Sequence, residues 1–416
     1  MLNLFQHLLI ETLKQVQGDE QNRTMKKHFP FFLLLLTAFF SCGQKSTKTS
    51  PAPAPAIQYT GGKTYTISCD ANKSNTYTLY LPTNYDTTKT FPVIYFFDPH
   101  GKASLPIENY KSLSDSLGII FVGSNATKNG MQWAEASTAA NQLFADTKQK
   151  LKINGQQIFT CGFSGGARIA SNLALQNNNI AAVISCSAGL PPQPSQLRTD
   201  LIFVGIAGKE DMNLTEIYDA GQALKNSELK HLINYFDGPH EWPPLETMSE
   251  AIQFCLTPYA TINETAIDKK IIETEKQQKQ FYSEAFVKND FNWWENEFKN
   301  LEQKIAKTIG HEKFMNIRLK NFLSLVAFSY SNSALNNHRL PEADKFLSIY
   351  KLVDPDNAEH AYLPTKYFMM MNNSAEAEKA LNEAAALGFS DAERLRAETV
   401  FITLQNSEGY KKITGQ

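Results

Sequence analysis

The stretch TCGFSGGARIA (160–170) sets Ser164 between Gly162 and Gly166, with Gly165 directly after it. A serine hydroxyl attacks only when a base removes its proton, and that base needs a third group to hold its tautomer and support its developing charge. Small neighbours are a steric requirement of a nucleophile on a sharp strand-to-helix bend, where bulky ones would meet adjacent backbone. The bare string is weak evidence, and its context strengthens it. QQIFTCG (156–162) reads as a buried strand ending just before Ser164, and GARIASNLALQ (166–176) continues with a helical pattern.

Two further residues could complete this chemistry. GIAGKEDMN (205–213) puts Asp211 three residues after Gly208, just beyond a buried run. YFDGPHEWPP (235–244) puts His240 on a loop ahead of a helical segment. Both fall at the carboxyl ends of strands, where open α/β sheets carry their sites. Glu210 is the alternative acid, although an Asp three residues after the glycine suits a loop-borne acid better. Taken singly, a loop aspartate is usually a cap or turn former and a loop histidine is merely exposed. The ordered set, each member following a successive late strand, is what supports a triad of Ser164, His240 and Asp211. His231 opens a strand and reads as structural, while His7, His28, His311, His338 and His360 lie elsewhere. No paired His/Cys spacing suggests zinc and no glycine-rich loop would cradle phosphate, so no metal and no cofactor is expected.

The elements that would position these residues are legible as runs. TYTISC and TYTLYLP, from Thr64, alternate and suit an antiparallel opening hairpin. The runs at 91–98, 118–124, 156–162, 180–189, 200–208 and 231–238 are continuously apolar, as in parallel strands buried on both faces. Helix-compatible segments lie between most of them. The fold class expected for residues 57–257 is therefore α/β, a mostly parallel sheet with helices on both faces. A chain of 416 residues suggests two domains. Beyond residue 257 the composition turns to Lys, Glu, Gln and Asn, which predicts an all-α domain over 258–416. There Ala343, Leu347, Tyr350 and Pro355 recur 34 residues later as Ala377, Leu381, Ala384 and Phe389, a period similar to tetratricopeptide repeats. Ser331 and Thr365 stand where such repeats have glycine, and two degenerate units are too few for a free-standing solenoid. The formal net charge of −2 leaves no basic stripe, so nucleic acid is not an expected partner.

With GFSGG as nucleophile elbow, GKED carrying the acid and GPHEWP similar to a His-x-Trp-Pro motif, residues 57–257 resemble an α/β-hydrolase of the esterase and polyhydroxybutyrate-depolymerase-like branch. The order Ser, Asp, His is that of α/β-hydrolases. The resemblance implies hydrolysis of a carboxylic ester, small or polymer-linked, through an acyl-enzyme. It departs from the family after the third strand, where FFDPHGKA stands in place of His-Gly-Gly. Pro99 has no N–H, so His100 or Gly101 would supply the oxyanion amide beside that of Gly165. Trp242 of GPHEWP is a candidate substrate contact. Trp133, after NATKNGM, could form a substrate wall and could equally be a core or rim residue. The connection SAGLPPQPSQLRT (187–199) is too short for a large lid, which favours an open site. A serine peptidase of the same fold is the alternative chemistry. A lipid-anchored interaction protein, whose repeat-like helices bind a protein partner, is the alternative class.

The N-terminal region reads as export. From Met25, MKKHFPFFLLLLTAFFSC has Lys26 and Lys27 before an apolar run from Phe29 to Phe40. That run falls short of the ~20 residues a membrane span needs. FFSC resembles a lipobox, which implies a signal peptide over 25–41, diacylated Cys42 and attachment to the cell envelope, outer membrane and periplasm-facing, or else plain secretion. Residues 1–24 resemble no leader and read as a non-native extension. Residues 42–56, ending in Pro/Ala alternation, suit a tether. Cys69, Cys161, Cys186 and Cys255 allow three pairings in an oxidising compartment. Cys161 and Cys186 could be neighbours, and buried free thiols are at least as consistent.

Overall fold

The computed structural model describes residues 59–191, 198–258 and 267–416. The expected extension, signal peptide, Cys42 and tether lie outside the described residues, as do 192–197 of the short connection and the junction at 259–266.

Eight strands form one sheet: β1 (Thr64–Ser68), β2 (Thr76–Tyr80), β3 (Phe91–Phe97), β4 (Ile120–Ser124), β5 (Ile153–Phe163), β6 (Ala182–Cys186), β7 (Ile202–Gly208) and β8 (His231–Phe236). Their order is β1-β2-β4-β3-β5-β6-β7-β8. β1 and β2 are the antiparallel hairpin that the alternating runs predict, and β2 joins β4 antiparallel; every later pairing is parallel. The parallel strands are apolar at consecutive positions because both of their faces are covered. On one face Ile94, Phe96, Phe121, Cys161, Ile184 and Val204 pack beneath α1 (Ser104–Leu117) and α5 (Leu245–Leu256). On the other, Tyr95 meets Phe144 of α2 (Trp133–Lys150), and Thr160 bonds the Ala170 carbonyl of α3 (Gly165–Gln176). Ile217 of α4 (Leu214–Leu224) closes on the same face, near Gly205. The chain reverses its direction of progress across the sheet between β3 and β5, which are paired in register with Phe97 opposite Gly162. Such a reversal opens a crevice at the carboxyl ends of the two strands.

All four described cysteines are buried free thiols. Burial pushes the Cys69 thiol up to about 11, and burial together with the Cys186 sulfur beside it pushes Cys161 far above its ordinary value. Such thiols stay protonated and poorly nucleophilic.

α3 is locked to α4 by a bidentate pair from Arg168 to Glu216, 2.9 Å for each bond, and Glu216 also accepts the Gly189 amide at 3.1 Å. Burial alone would push the Glu216 carboxyl up, but the Arg168 charge and these bonds hold it below its ordinary 4.5. A depressed folded value means stability that is present above the unfolded value and lost as pH falls through the folded one. Glu216→Gln should therefore lower the melting temperature at neutral pH, with the deficit shrinking below about pH 4.5. Melts from neutral to acid pH check this; a deficit that stays constant would contradict it.

The C-terminal region is helical: α6 (Lys269–Lys288), α7 (Phe291–Lys307), α8 (Gly310–Asn336), α9 (Leu340–Val353), α10 (Glu359–Met370), α11 (Ser374–Ala386), α12 (Ala392–Ala397) and α13 (Glu408–Thr414). Side chains of Asp268, Asp290, Asn373, Asp391 and Ser407 accept the first free amides of α6, α7, α11, α12 and α13, which is why these helices begin where they do. α8 packs on α9 and α10 on α11 as two hairpins. Ala343 and Ala377, from the 34-residue period, are fully buried, as are Ser331 and Thr365 on the partner helices. Small side chains at these four places let the helices approach. Among the described residues no helix is long and apolar enough to cross a membrane.

Candidate active site

Ser164 lies between the last residue of β5 and the first of α3, with φ 53° and ψ −119°. A non-glycine residue held there is strained, and the surroundings enforce it. The Ser164 amide donates to the Cys186 carbonyl of β6 at 2.8 Å, while its own carbonyl accepts from Ala167 and Arg168. A Cβ at Gly166 would lie 2.0 Å from the Phe97 carbonyl oxygen, and one at Gly162 would lie 2.3 Å from that of Gly166. The glycines on either side of Ser164 are therefore what let α3 leave the sheet so abruptly.

The Asp211 and His240 loops follow β7 and β8 and are bonded to each other. The Lys209 amide donates to the Phe236 carbonyl at 2.8 Å and the Glu210 amide to that of Gly238 at 3.0 Å. Gly208 permits this closeness, because a Cβ there would meet the carbonyl oxygens of Gly238 and Pro239 at 2.3 and 2.4 Å. The result is a continuous relay. His240 Nδ1 lies 2.8 Å from Asp211 Oδ1, and His240 Nε2 lies 3.1 Å from Ser164 Oγ. A carboxylate only accepts, so the ring proton sits on Nδ1, and Ser164 Oγ–H donates to Nε2. Asp211 is completely buried; its Oδ1 also accepts the Asn213 amide at 2.8 Å, and its Oδ2 has no donor. The Phe163 ring lies against His240 at 4.6 Å and limits its rotation. Of the two candidate acids, Asp211 is the one that reaches the imidazole.

Of four residues expected near substrate, three, His100, Gly101 and Trp242, stand differently. The His100 amide donates to Asp98 Oδ1 at 2.8 Å and the Gly101 amide to the Asp98 carbonyl at 3.1 Å, so both are committed. The cause is Asp98, the buried residue directly after β3, which also accepts from Trp242 Nε1 at 3.1 Å and the Lys102 amide at 3.3 Å. Burial pulls the Asp98 carboxyl upward, yet its bonds with His100, Trp242 and Lys102 hold it below the ordinary value. Trp242 is 9% exposed and packs against Phe96, Tyr110 and Phe163, so it anchors the histidine loop to the core instead of facing substrate. Trp133 is 37% exposed at the first turn of α2, a rim position.

Asp98 and Asn129 also shape this site, although their types and spacing alone do not single them out. Asp98 is marked only by being an acid directly after a wholly apolar strand. Asn129, within NATKNGMQW, is held by its amide on the Pro99 carbonyl at 2.8 Å. Its carboxamide oxygen would lie 1.8 Å from a Cβ placed on Gly165, so this side chain covers the residue after the nucleophile. Among the described residues no cluster of His, Cys, Asp or Glu could hold a metal ion.

The sheet order, the reversal between β3 and β5 and the strained serine at the end of β5 define the α/β-hydrolase fold, with a helical region appended. No family model and no curated protein matches the chain. Among solved structures it is similar to a ferulic acid esterase, with 18% identity, 46% of this chain and 96% of that one covered, and a TM-score of 0.38. It is similar to a Staphylococcus aureus fluorophosphonate-binding serine hydrolase at 11% identity, covering 47% and 98%, with a TM-score of 0.39. An S-formylglutathione hydrolase from Agrobacterium tumefaciens matches at 15% identity over 46% and 92%, with a TM-score of 0.36.

Proposed function

We propose that the chain is a serine hydrolase that cleaves carboxylic esters through an acyl-enzyme. The observation that carries this reading is the unbroken relay from Ser164 through His240 to a buried Asp211, set on a strained elbow. Ser164 Oγ attacks the ester carbonyl carbon as its proton passes to His240 Nε2, and the carbonyl electron pair moves onto oxygen. Collapse of that intermediate expels the alcohol, which takes the proton from Nε2. Water then repeats the sequence on the acyl group and frees the acid. Asp211 holds the Nδ1–H tautomer and supports the imidazolium. Labelling by a fluorophosphonate probe should map to Ser164, and short p-nitrophenyl esters should be hydrolysed; absence of both would overturn the reading.

The oxyanion needs two donors, and the His100 and Gly101 amides are occupied. The Gly165 N–H is free of intrahelical acceptors, as in any first helical turn. The second donor in this reading is the Asn129 carboxamide, whose oxygen and nitrogen lie 1.8 and 3.4 Å from a Cβ placed on Gly165. Removing one such donor typically costs about 10²-fold or more in rate. Asn129→Ala should therefore lower kcat by about 10²-fold with little change in melting temperature; unaltered kcat would return the second donor to the loop after β3.

A further inference from the structure

The loop that carries Asp211 is gripped from outside the hydrolase half. Three side chains of the helical half donate to its backbone carbonyls: Arg318 Nη1 to Lys209 at 2.6 Å, Asn321 Nδ2 to Glu210 at 3.2 Å, and Lys279 Nζ to Met212 at 2.6 Å. Arg318 and Asn321 are three residues apart on α8 and so share one face, while Lys279 comes from α6. The remaining carbonyls of the loop are used internally, Gly208 by the Asp211 amide and Asp211 by that of Leu214. Every carbonyl from 208 to 212 is therefore spoken for, and those at 209, 210 and 212 bracket the acid.

The gripping side chains are organised by a completely buried carboxylate. Glu275 Oε2 accepts from Arg318 Nε at 2.9 Å and Nη2 at 2.6 Å, and its Oε1 lies 2.7 Å from Lys279 Nζ. The Arg318 side chain is 3% exposed. Buried ion pairs are poor glue, because desolvation offsets their attraction and well-packed apolar residues would hold two helices at least as well. Apolar residues could not donate hydrogen bonds to a loop. The cluster also carries one more positive than negative charge beside a loop whose buried Asp211 has an oxygen without a donor.

We propose that the helical half is a working part of the hydrolase, in which Arg318, Lys279 and Asn321 are positioning residues that hold the acid loop so that Asp211 keeps His240 in register with Ser164. The proposal rests on the serine-hydrolase reading above. It separates this helical half from a module whose only task is to bind a partner.

The test uses the full-length chain and counts competent sites by fluorophosphonate titration, so that misfolded protein drops out of the rate. Displacement of a catalytic group by about 1 Å can cost about 10²-fold. Lys279→Met should lower kcat per titrated site by about tenfold and Arg318→Met by closer to 10²-fold, with KM for a short p-nitrophenyl ester within about twofold of wild type. Lys279→Arg, which keeps a donor, should recover most of the loss. If Arg318→Met does not fold, Lys279→Met and Asn321→Ala decide the matter. A wild-type kcat per site in both, with only the melting temperature lowered, would overturn the positioning role and leave the cluster as structure. Wild-type protein with neither ester hydrolysis nor labelling at Ser164 would instead overturn the underlying reading, and the positioning role with it.

Discussion

Ser164→Ala should lower kcat/KM for a short p-nitrophenyl ester by about 10⁴-fold or more and abolish fluorophosphonate labelling, while the melting temperature stays near that of wild type. The size of the effect follows from the relay, in which Ser164 Oγ lies 3.1 Å from His240 Nε2. On the proposed mechanism, the variant keeps the oxyanion donors and the base but has no nucleophile to acylate. Stability should change little because alanine retains the Cβ that makes φ 53° costly, and the Ser164 amide keeps its bond to the Cys186 carbonyl. Hydrolysis that persists at the wild-type rate in this variant would place the chemistry elsewhere.

Asp211→Asn should cost about 10³- to 10⁴-fold in kcat/KM, with Ser164 still present and the backbone intact. Asp211 Oδ1 accepts two donors, His240 Nδ1–H and the Asn213 amide, so an asparagine would have to keep its oxygen there. Its NH2 then falls where Oδ2 lies buried without a partner, which costs ~1–3 kcal/mol. Flipping the amide relieves that but turns a donor toward Nδ1 and forces the proton onto Nε2, where it blocks the serine. In either orientation the charge that supports the imidazolium is lost. Glu210→Gln is the companion variant and should stay within a few-fold of wild type, because that residue meets the histidine loop through its backbone. A loss confined to Glu210→Gln would reassign the acid.

Local signals carried much of the architecture. The six parallel strands announced themselves because a strand covered on both faces is apolar at consecutive positions, and the opening hairpin alternated. The elbow was legible because the close approach of α3 to β3 and β5 demands small residues at 162 and 166. Asp211 and His240 could be singled out from position, since each lies a few residues beyond the carboxyl end of a late strand.

What escaped was set mostly by partners far along the chain. The His100 and Gly101 amides are taken locally, by the Asp98 carboxylate and carbonyl, but the bond from Trp242 that helps fix this carboxylate comes from 144 positions away. Trp242 could not be told from a substrate contact until Phe96, Tyr110 and Phe163 were seen around it. Asn129 acquired meaning only through its place over Gly165. The residues that hold the acid loop, Lys279, Arg318 and Asn321, read in sequence as ordinary polar positions on helices.

By itself, then, the amino-acid sequence determined the order of strands and helices, the glycine-flanked bend at Ser164 and the three residues, Ser164, Asp211 and His240, that the fold joins by hydrogen bonds, because periodicity, glycine sterics and strand ends are local properties. Only the tertiary structure decided which amides after β3 are occupied, which tryptophan is buried and what grips the loop that carries Asp211. The last two depend on hydrogen bonds between residues brought together across more than a hundred positions, such as Trp242 with Asp98 and Arg318 with Lys209, and no local pattern encodes which buried donor finds which acceptor.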